Sequence, residues 1–219
     1  MKVLVVAAHP DDEVIGCGGT IARHVANGDV VYLLILTEIY APDWDMKEFD
    51  QRKKEALSAA KVLGIKEVMF GGFPTVKLNT VPTIALTAKL QAAVAKYQPQ
   101  VVYIPPRGDI NADHDAAHRA ALVGCRPLFN SPVRKLISYE IAPTTRFNPP
   151  GEGVFAANYY LDISKYLKAK LRAMRQYRLE LRKDPHPRSL QGLTVFARER
   201  GLAIGVDYAE AFCLLLSRE

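Results

Sequence analysis

The sequence predicts an α/β fold with a mainly parallel sheet. Three observations carry that prediction: strand-like and helix-like patterns alternate along most of the 219 residues, the strand-like runs are short and β-branched, and 49% of the residues are hydrophobic, enough for one sizeable core. With 24% charged residues, 14 Gly, 14 Pro and no low-complexity stretch, the composition is that of a soluble globular chain, expected as a single domain over residues 1–219.

Lys2 to Ala8 is a β-branched run suited to a buried strand, after which Ile21, Ala22 and Val25 repeat at helical spacing until Asn27-Gly28 supplies a stop. Val30 to Thr37 reads as the second strand. Asp45 to Leu63 reads as a helix with Ala56, Ala60 and Leu63 on one face and Gly64 at its end. Glu67 to Phe70 follows as a short third strand, residues 82–97 as a helix, and Val101 to Ile104 as a fourth strand closed by Pro105-Pro106. Asp115 to Cys125 reads as a helix and Lys135 to Ala142 as a strand. Pro143 to Ala157, rich in Pro, Thr, Asn and Gly, reads as a loop over one end of the sheet. Leu167, Leu171, Met174, Tyr177 and Leu181 place one apolar stripe on a long basic helix, ended by Asp184-Pro185-His186-Pro187. A helix over Ser189 to Arg200 and a strand over Ala209 to Leu215 complete the expected order.

Several function classes are disfavoured. The apolar runs, such as Val30 to Leu36, are strand-sized and far short of the roughly 20 residues that cross a bilayer. Carboxylates at Asp11, Asp12 and Glu13 interrupt the N-terminal apolar run before any export signal is complete. The three cysteines, Cys17, Cys125 and Cys213, are odd in number and widely spaced, as expected of reduced thiols in a cytoplasmic protein. The net charge of +6 is unevenly placed: residues 1–60 hold six Lys/Arg against ten Asp/Glu, and residues 165–200 hold eleven against three. Few aromatics interleave with those basic residues in a stacking pattern, so a solvated helix face is expected there and not a nucleic-acid surface.

The informative segment is Ala8-His9-Pro10-Asp11-Asp12-Glu13, where the first strand gives way to the first helix. In open α/β sheets the carboxyl ends of the strands face the ligand crevice. Across the turn that Pro10 helps set, His9 and Asp12 can reach one cation, and imidazole plus carboxylate is a ligand set zinc accepts. The plainer reading is that the three acids cap the following helix. Capping does not explain His9, nor the second cluster, Gly108-Asp109-Ile110-Asn111-Ala112-Asp113-His114-Asp115-Ala116-Ala117-His118, which follows the fourth strand.

A crossover connection would bring His114 beside His9 and Asp12, giving three protein ligands and an open position, the pattern of catalytic zinc. His118, one helical turn after His114, is placed as a packing or supporting residue in preference to a fourth ligand. Asp113 is expected to orient His114 or His118. Gly16-Cys17-Gly18-Gly19-Thr20 lacks the spacing of a phosphate-binding loop, so close packing of the helix on the sheet explains it better.

With Ala8 to Glu13, Gly18-Gly19-Thr20, Arg52-Lys53-Lys54-Glu55, Leu63-Gly64, Asp113-His114 and Tyr208-Ala209-Glu210-Ala211-Phe212 in this order, the chain resembles the PIG-L/LmbE-like family of zinc-dependent N-acetylglucosaminyl deacetylases over nearly its whole length. The resemblance implies a Rossmann-like three-layer sandwich. It also implies one zinc per chain on His9, Asp12 and His114, with Asp11 as general base on water whose pKa zinc lowers to about 7. Arg52 matches a position that contacts substrate; by itself it reads as a surface arginine paired with Glu48 or Glu55. Where much of the family has the first His of His-x-Asp-His, this chain has Asn111, which can donate to an oxyanion but cannot shuttle a proton. Glu210 reads as a structural partner near the site.

The expected substrate is a small N-acetylated amino sugar or conjugate, with no nucleic acid or membrane span, in a cytoplasmic homo-oligomer. The competing reading is a non-hydrolytic Rossmann-like protein that binds a nucleotide or phosphosugar.

Overall fold

Seven strands form one sheet in the order β3-β2-β1-β4-β5-β7-β6. The structure, a computed structural model, describes residues 1–128, 130–148 and 154–218. β1 (Lys2–Ala7), β2 (Val30–Glu38), β3 (Glu67–Pro74), β4 (Val101–Ile104) and β5 (Lys135–Tyr139) run parallel, and β7 (Ala209–Ser217) runs antiparallel between β5 and β6 (Tyr159–Asp162). The expected mainly parallel sheet is present. β6 was not legible in the sequence, and the third strand runs four residues past Phe70, to Pro74.

Alternation along β1 sorts the core into its two faces. Val3, Val5 and Ala7 pack beneath α1 (Asp12–Ala26), α2 (Phe49–Leu63) and α6 (Leu167–Met174), whereas Leu4, Val6 and Ala8 pack against α3 (Thr83–Tyr97) and α4 (Ala112–Gly124). These side chains are fully buried, and each Val or Leu so placed stabilises the fold by about 1.5–3 kcal/mol relative to exposure. The result is three layers, helix on sheet on helix, as the resemblance implied.

Local chemistry sets the helix ends. α2 stops at Gly64, whose φ of 77° is the left-handed conformation glycine supplies without strain. α4 starts at Asn111, whose side chain accepts from Asp113 N–H, and α7 (Leu190–Leu202) starts at Ser189, whose side chain accepts from Gly192 N–H.

Two expectations are corrected here. The apolar stripe beginning at Leu167 is helical only to Met174, because tertiary contacts override the periodicity beyond it: Tyr177 Oη donates to Glu13 Oε1 at 2.6 Å and Leu179 N–H to Glu55 Oε2 at 3.3 Å. The segment 143–157, expected as loop throughout, begins inside a helical turn, α5 (Ala142–Thr145); its residues 149–153 lie outside those described.

Topology then positions the site. β1 and β4 are neighbours at the point where strand order reverses, which is where crevices open at the carboxyl ends of strands. His9 to Asp12 follow β1, and Asp109 to His114 follow β4.

Candidate active site

A cavity of about 740 Å³ opens at this switch point, and His9, Asp11, Asp12, Asn111 and His114 all line it. His9, Asp12 and His114 each present a ligand atom, and those atoms lie within 4.8 Å of one another. His9 Nδ1 is 3.4 Å from Asp12 Oδ2, and His114 Nε2 is 3.3 Å from Asp12 Oδ1. The turn is fixed by His9 N–H, which donates to Asp12 Oδ2 at 2.7 Å.

The trio fits a divalent ion of the zinc type. Both ring nitrogens of buried His114 lack an aligned hydrogen bond, although carboxylate oxygens of Asp109 and Asp12 lie close by. Burying polar nitrogens without aligned hydrogen bonds is costly, and a cation held by two imidazoles and a carboxylate would satisfy one ring nitrogen of His114 while leaving the other to the Asp109 carboxylate. The carboxylates around the trio favour positive charge, carried by protons on the imidazoles or by an ion that displaces them. Burial opposes ionisation of all three, yet His114 and His9 hold the Asp12 carboxyl well below the usual carboxylate range. Burial likewise disfavours charge on the imidazoles, but Asp113 and Asp12 lift His9 to about 10, and Asp12 with Asp109 lifts His114 to about 9.

Asp11 stands beside the trio at the start of α1 with φ 103°, a left-handed conformation that costs a non-glycine residue about 1–2 kcal/mol. Such strain gathers at functional positions. Its Oδ2 is buried without a hydrogen-bond partner, and Arg188 Nη1 lies 3.5 Å away. Burial, then the charges of Asp12 and Glu180, push the Asp11 carboxyl well above the ordinary range, with Arg188 opposing them.

The supporting contacts differ from those expected. Asp113 was expected to serve His114 or His118; it accepts instead from His9 Nε2 at 2.9 Å and from the N–H groups of Val76 and Leu78. The residue beside His114 is Asp109, 3.1 Å from its Nδ1, which also accepts from Thr144 Oγ1. The cause is direction: at the opening of α4, consecutive side chains leave on different sides, so Asp113 and His114 cannot meet. His118 stands apart from the trio, its Nδ1 against the Pro105 carbonyl at 2.8 Å, and burial holds its imidazole below the usual value. Asn111 Oδ1 is used in capping α4.

Arg52 lines the cavity and is ion-paired with Glu48 at 2.8 Å and with Glu180, not with Glu55, whose Oε1 accepts from Gln51. Glu180 in turn holds Arg188 at 2.7 Å. Sequence reasoning missed Asp109, Glu180 and Arg188. Asp109 carried a weak signal as an acid in the same turn as His114; Glu180 and Arg188 carried none, because they reach the site from the basic segment by tertiary folding.

Comparison with known proteins identifies the family. Residues 4–124 match the PIG-L family, described as GlcNAc-PI de-N-acetylase. The chain belongs to the PIG-L family. This PIG-L protein is 27% identical to diacetylchitobiose deacetylase of Thermococcus kodakarensis, over 95% of this chain and 81% of that one. It is 25% identical to 1D-myo-inositol 2-acetamido-2-deoxy-alpha-D-glucopyranoside deacetylase of Mycolicibacterium vanbaalenii, over 97% and 90% of the two chains. Among solved structures, the conserved protein TT1542 from Thermus thermophilus superposes with a TM-score of 0.77 at 32% identity, covering 99% of this chain and 96% of that one. The family and these relatives make the chain an N-deacetylase, and the non-hydrolytic alternative is not favoured. Among the described residues no helix is long and apolar enough to cross a membrane.

Proposed function

We propose that this chain is a metal-dependent hydrolase that removes the acetyl group from an N-acetylglucosamine-type sugar or its conjugate, using one zinc ion per chain held by His9, Asp12 and His114. The observation that carries the reading is the convergence of those three ligand atoms within 4.8 Å, in the cavity that Asp11 also lines. When bound, the ion supplies a Lewis acid that lowers the pKa of water and polarises the amide carbonyl.

The remaining work falls to side chains. Asp11, which makes no hydrogen bond at Oδ2, takes the proton of the attacking water and returns it to the departing amine nitrogen, a contribution of about 10²–10⁴-fold. Asn111 has its Oδ1 committed to Asp113 N–H, which leaves its amide N–H groups as the donors for the acyl oxygen. Arg52, fixed by Glu48 and Glu180, presents a planar donor to sugar hydroxyls. Relatives named for diacetylchitobiose and for an acetamido-glucopyranosyl inositol support an acetamido sugar as the substrate class.

The test is acetate release from a panel of N-acetylglucosamine conjugates, including diacetylchitobiose, by zinc-loaded and chelator-stripped protein. Acetate and free amine in equal amounts are expected from the loaded protein alone. Zinc-loaded protein that releases no acetate from any member of the panel would overturn the proposal.

A further inference from the structure

Helix α1 is broken just after the residues that matter most to the site. Cys17 has φ −143° and ψ 22°, outside the helical range, so the turn carrying Asp12 and Glu13 is separated from the rest of the helix. A break leaves unsatisfied carbonyls ending the first piece and unsatisfied N–H groups opening the second.

One buried ion pair fills both sides. Lys170 Nζ, from α6, donates to the Ile15 carbonyl at 2.7 Å and to Glu210 Oε1 at 2.6 Å. Glu210, from β7, accepts from Gly19 N–H at 2.9 Å through Oε1 and from Thr20 N–H at 2.7 Å through Oε2. Lys170 and Glu210 are 3% and 4% exposed. The glycines make room: a Cβ on Gly18 would lie 3.2 Å from Lys170 Cγ, and one on Gly19 would meet Ile163 at 2.7 Å. The Gly16 to Thr20 run therefore packs closely, as its composition suggested, and its N–H groups also cradle an anion, which is the chain's own carboxylate.

Stability alone is a poor account of this pair, since replacing a buried ion pair by apolar side chains is often neutral or stabilising. An unbroken helix would need no such splice. What the splice sets is the angle at which the first turn of α1, itself held by Tyr177 through Glu13, leaves the rest of the helix. We propose that Lys170 and Glu210 are positioning residues for the metal-binding turn, fixing the direction in which Asp12 presents its carboxylate to His9 and His114. This rests on the metal reading above.

The experiment measures Zn(II) affinity by competition with a chromophoric chelator in the wild-type chain, Glu210→Gln and Lys170→Gln, alongside the melting temperature of each metal-free protein. Hydrogen exchange of the Gly19 and Thr20 amides is followed in the wild type with and without Zn(II), so that one arm needs no variant. The expected results are a 10–100-fold weaker Zn(II) dissociation constant in the variants and slower exchange at both amides on metal binding, with α3 amides unchanged. Folded variants that bind Zn(II) within twofold of wild type despite a lowered melting temperature would overturn the proposal in favour of a purely structural pair. So would wild-type Gly19 and Thr20 amides whose exchange ignores the metal. Failure of the wild type to bind Zn(II) would instead overturn the metal reading itself.

Discussion

His9 Nε2 lies 2.9 Å from Asp113 Oδ2 across 104 residues of sequence, so the carboxylate that follows β4 fixes the imidazole that follows β1. The same carboxylate receives Val76 N–H at 2.6 Å and Leu78 N–H at 2.9 Å, tying the segment after β3 to the proposed metal ligand His9. Three strand ends are thus joined through one side chain. A ligand imidazole whose far nitrogen is held this way keeps one tautomer and one orientation.

Asp113→Ala therefore weakens Zn(II) binding by about 10–100-fold, as loss of such supporting contacts does elsewhere. Chelator competition reads this directly. His118→Ala, which removes a contact to the Pro105 carbonyl and none to the trio, leaves Zn(II) affinity within about threefold, since an effect at the metal needs a contact to a ligand. Equal losses in the two variants would contradict the assignment.

Asp11→Asn keeps the backbone, because Asn tolerates the left-handed conformation at φ 103° as well as Asp does. It removes the proton acceptor and leaves His9, Asp12 and His114 intact. Acetate release is expected to fall by about 10²–10⁴-fold with zinc content unchanged. Parallel assays of metal content and turnover check both halves of that statement.

Much of this site was legible because it is local. The paired clusters His9 to Asp12 and Asp109 to His118 each follow an apolar strand, and the α/β alternation alone sends both strand ends to one crevice. Partners brought by folding were illegible. Arg188 reaches Asp11 from beyond α6, and Glu180 reaches Arg52 from a turn that helical periodicity had assigned to helix. The same holds for the fold: β6, only four residues long and half-buried, has no continuous apolar run to announce it, whereas β1, buried from Val3 to Ala7, does.

Acid stability provides a test away from the metal. Arg200 and Arg146 grip Glu140 at 2.6 Å and 3.1 Å, and although burial works against its charge, they hold its carboxyl below the ordinary value of 4.5. A depressed carboxyl contributes stability that is fully present above its unfolded-state pKa and is lost as pH falls through the folded-state value. Unfolding free energy should therefore decline as pH falls below about 4.5. Glu140→Gln should cost about 1–3 kcal/mol at pH 7 and flatten that acid limb, as read by denaturant titration across pH. An unchanged acid limb would remove Glu140 from the account.

Whether His9, Asp12 and His114 hold zinc is read by elemental analysis of purified wild-type protein beside Asp12→Ala, counting transition metal per chain. About one zinc per wild-type chain and little in the variant are expected, because the carboxylate shared by His9 and His114 is gone. Wild-type protein that stays metal-free after reconstitution, or an Asp12→Ala variant that holds zinc as well as its parent, would contradict the assignment.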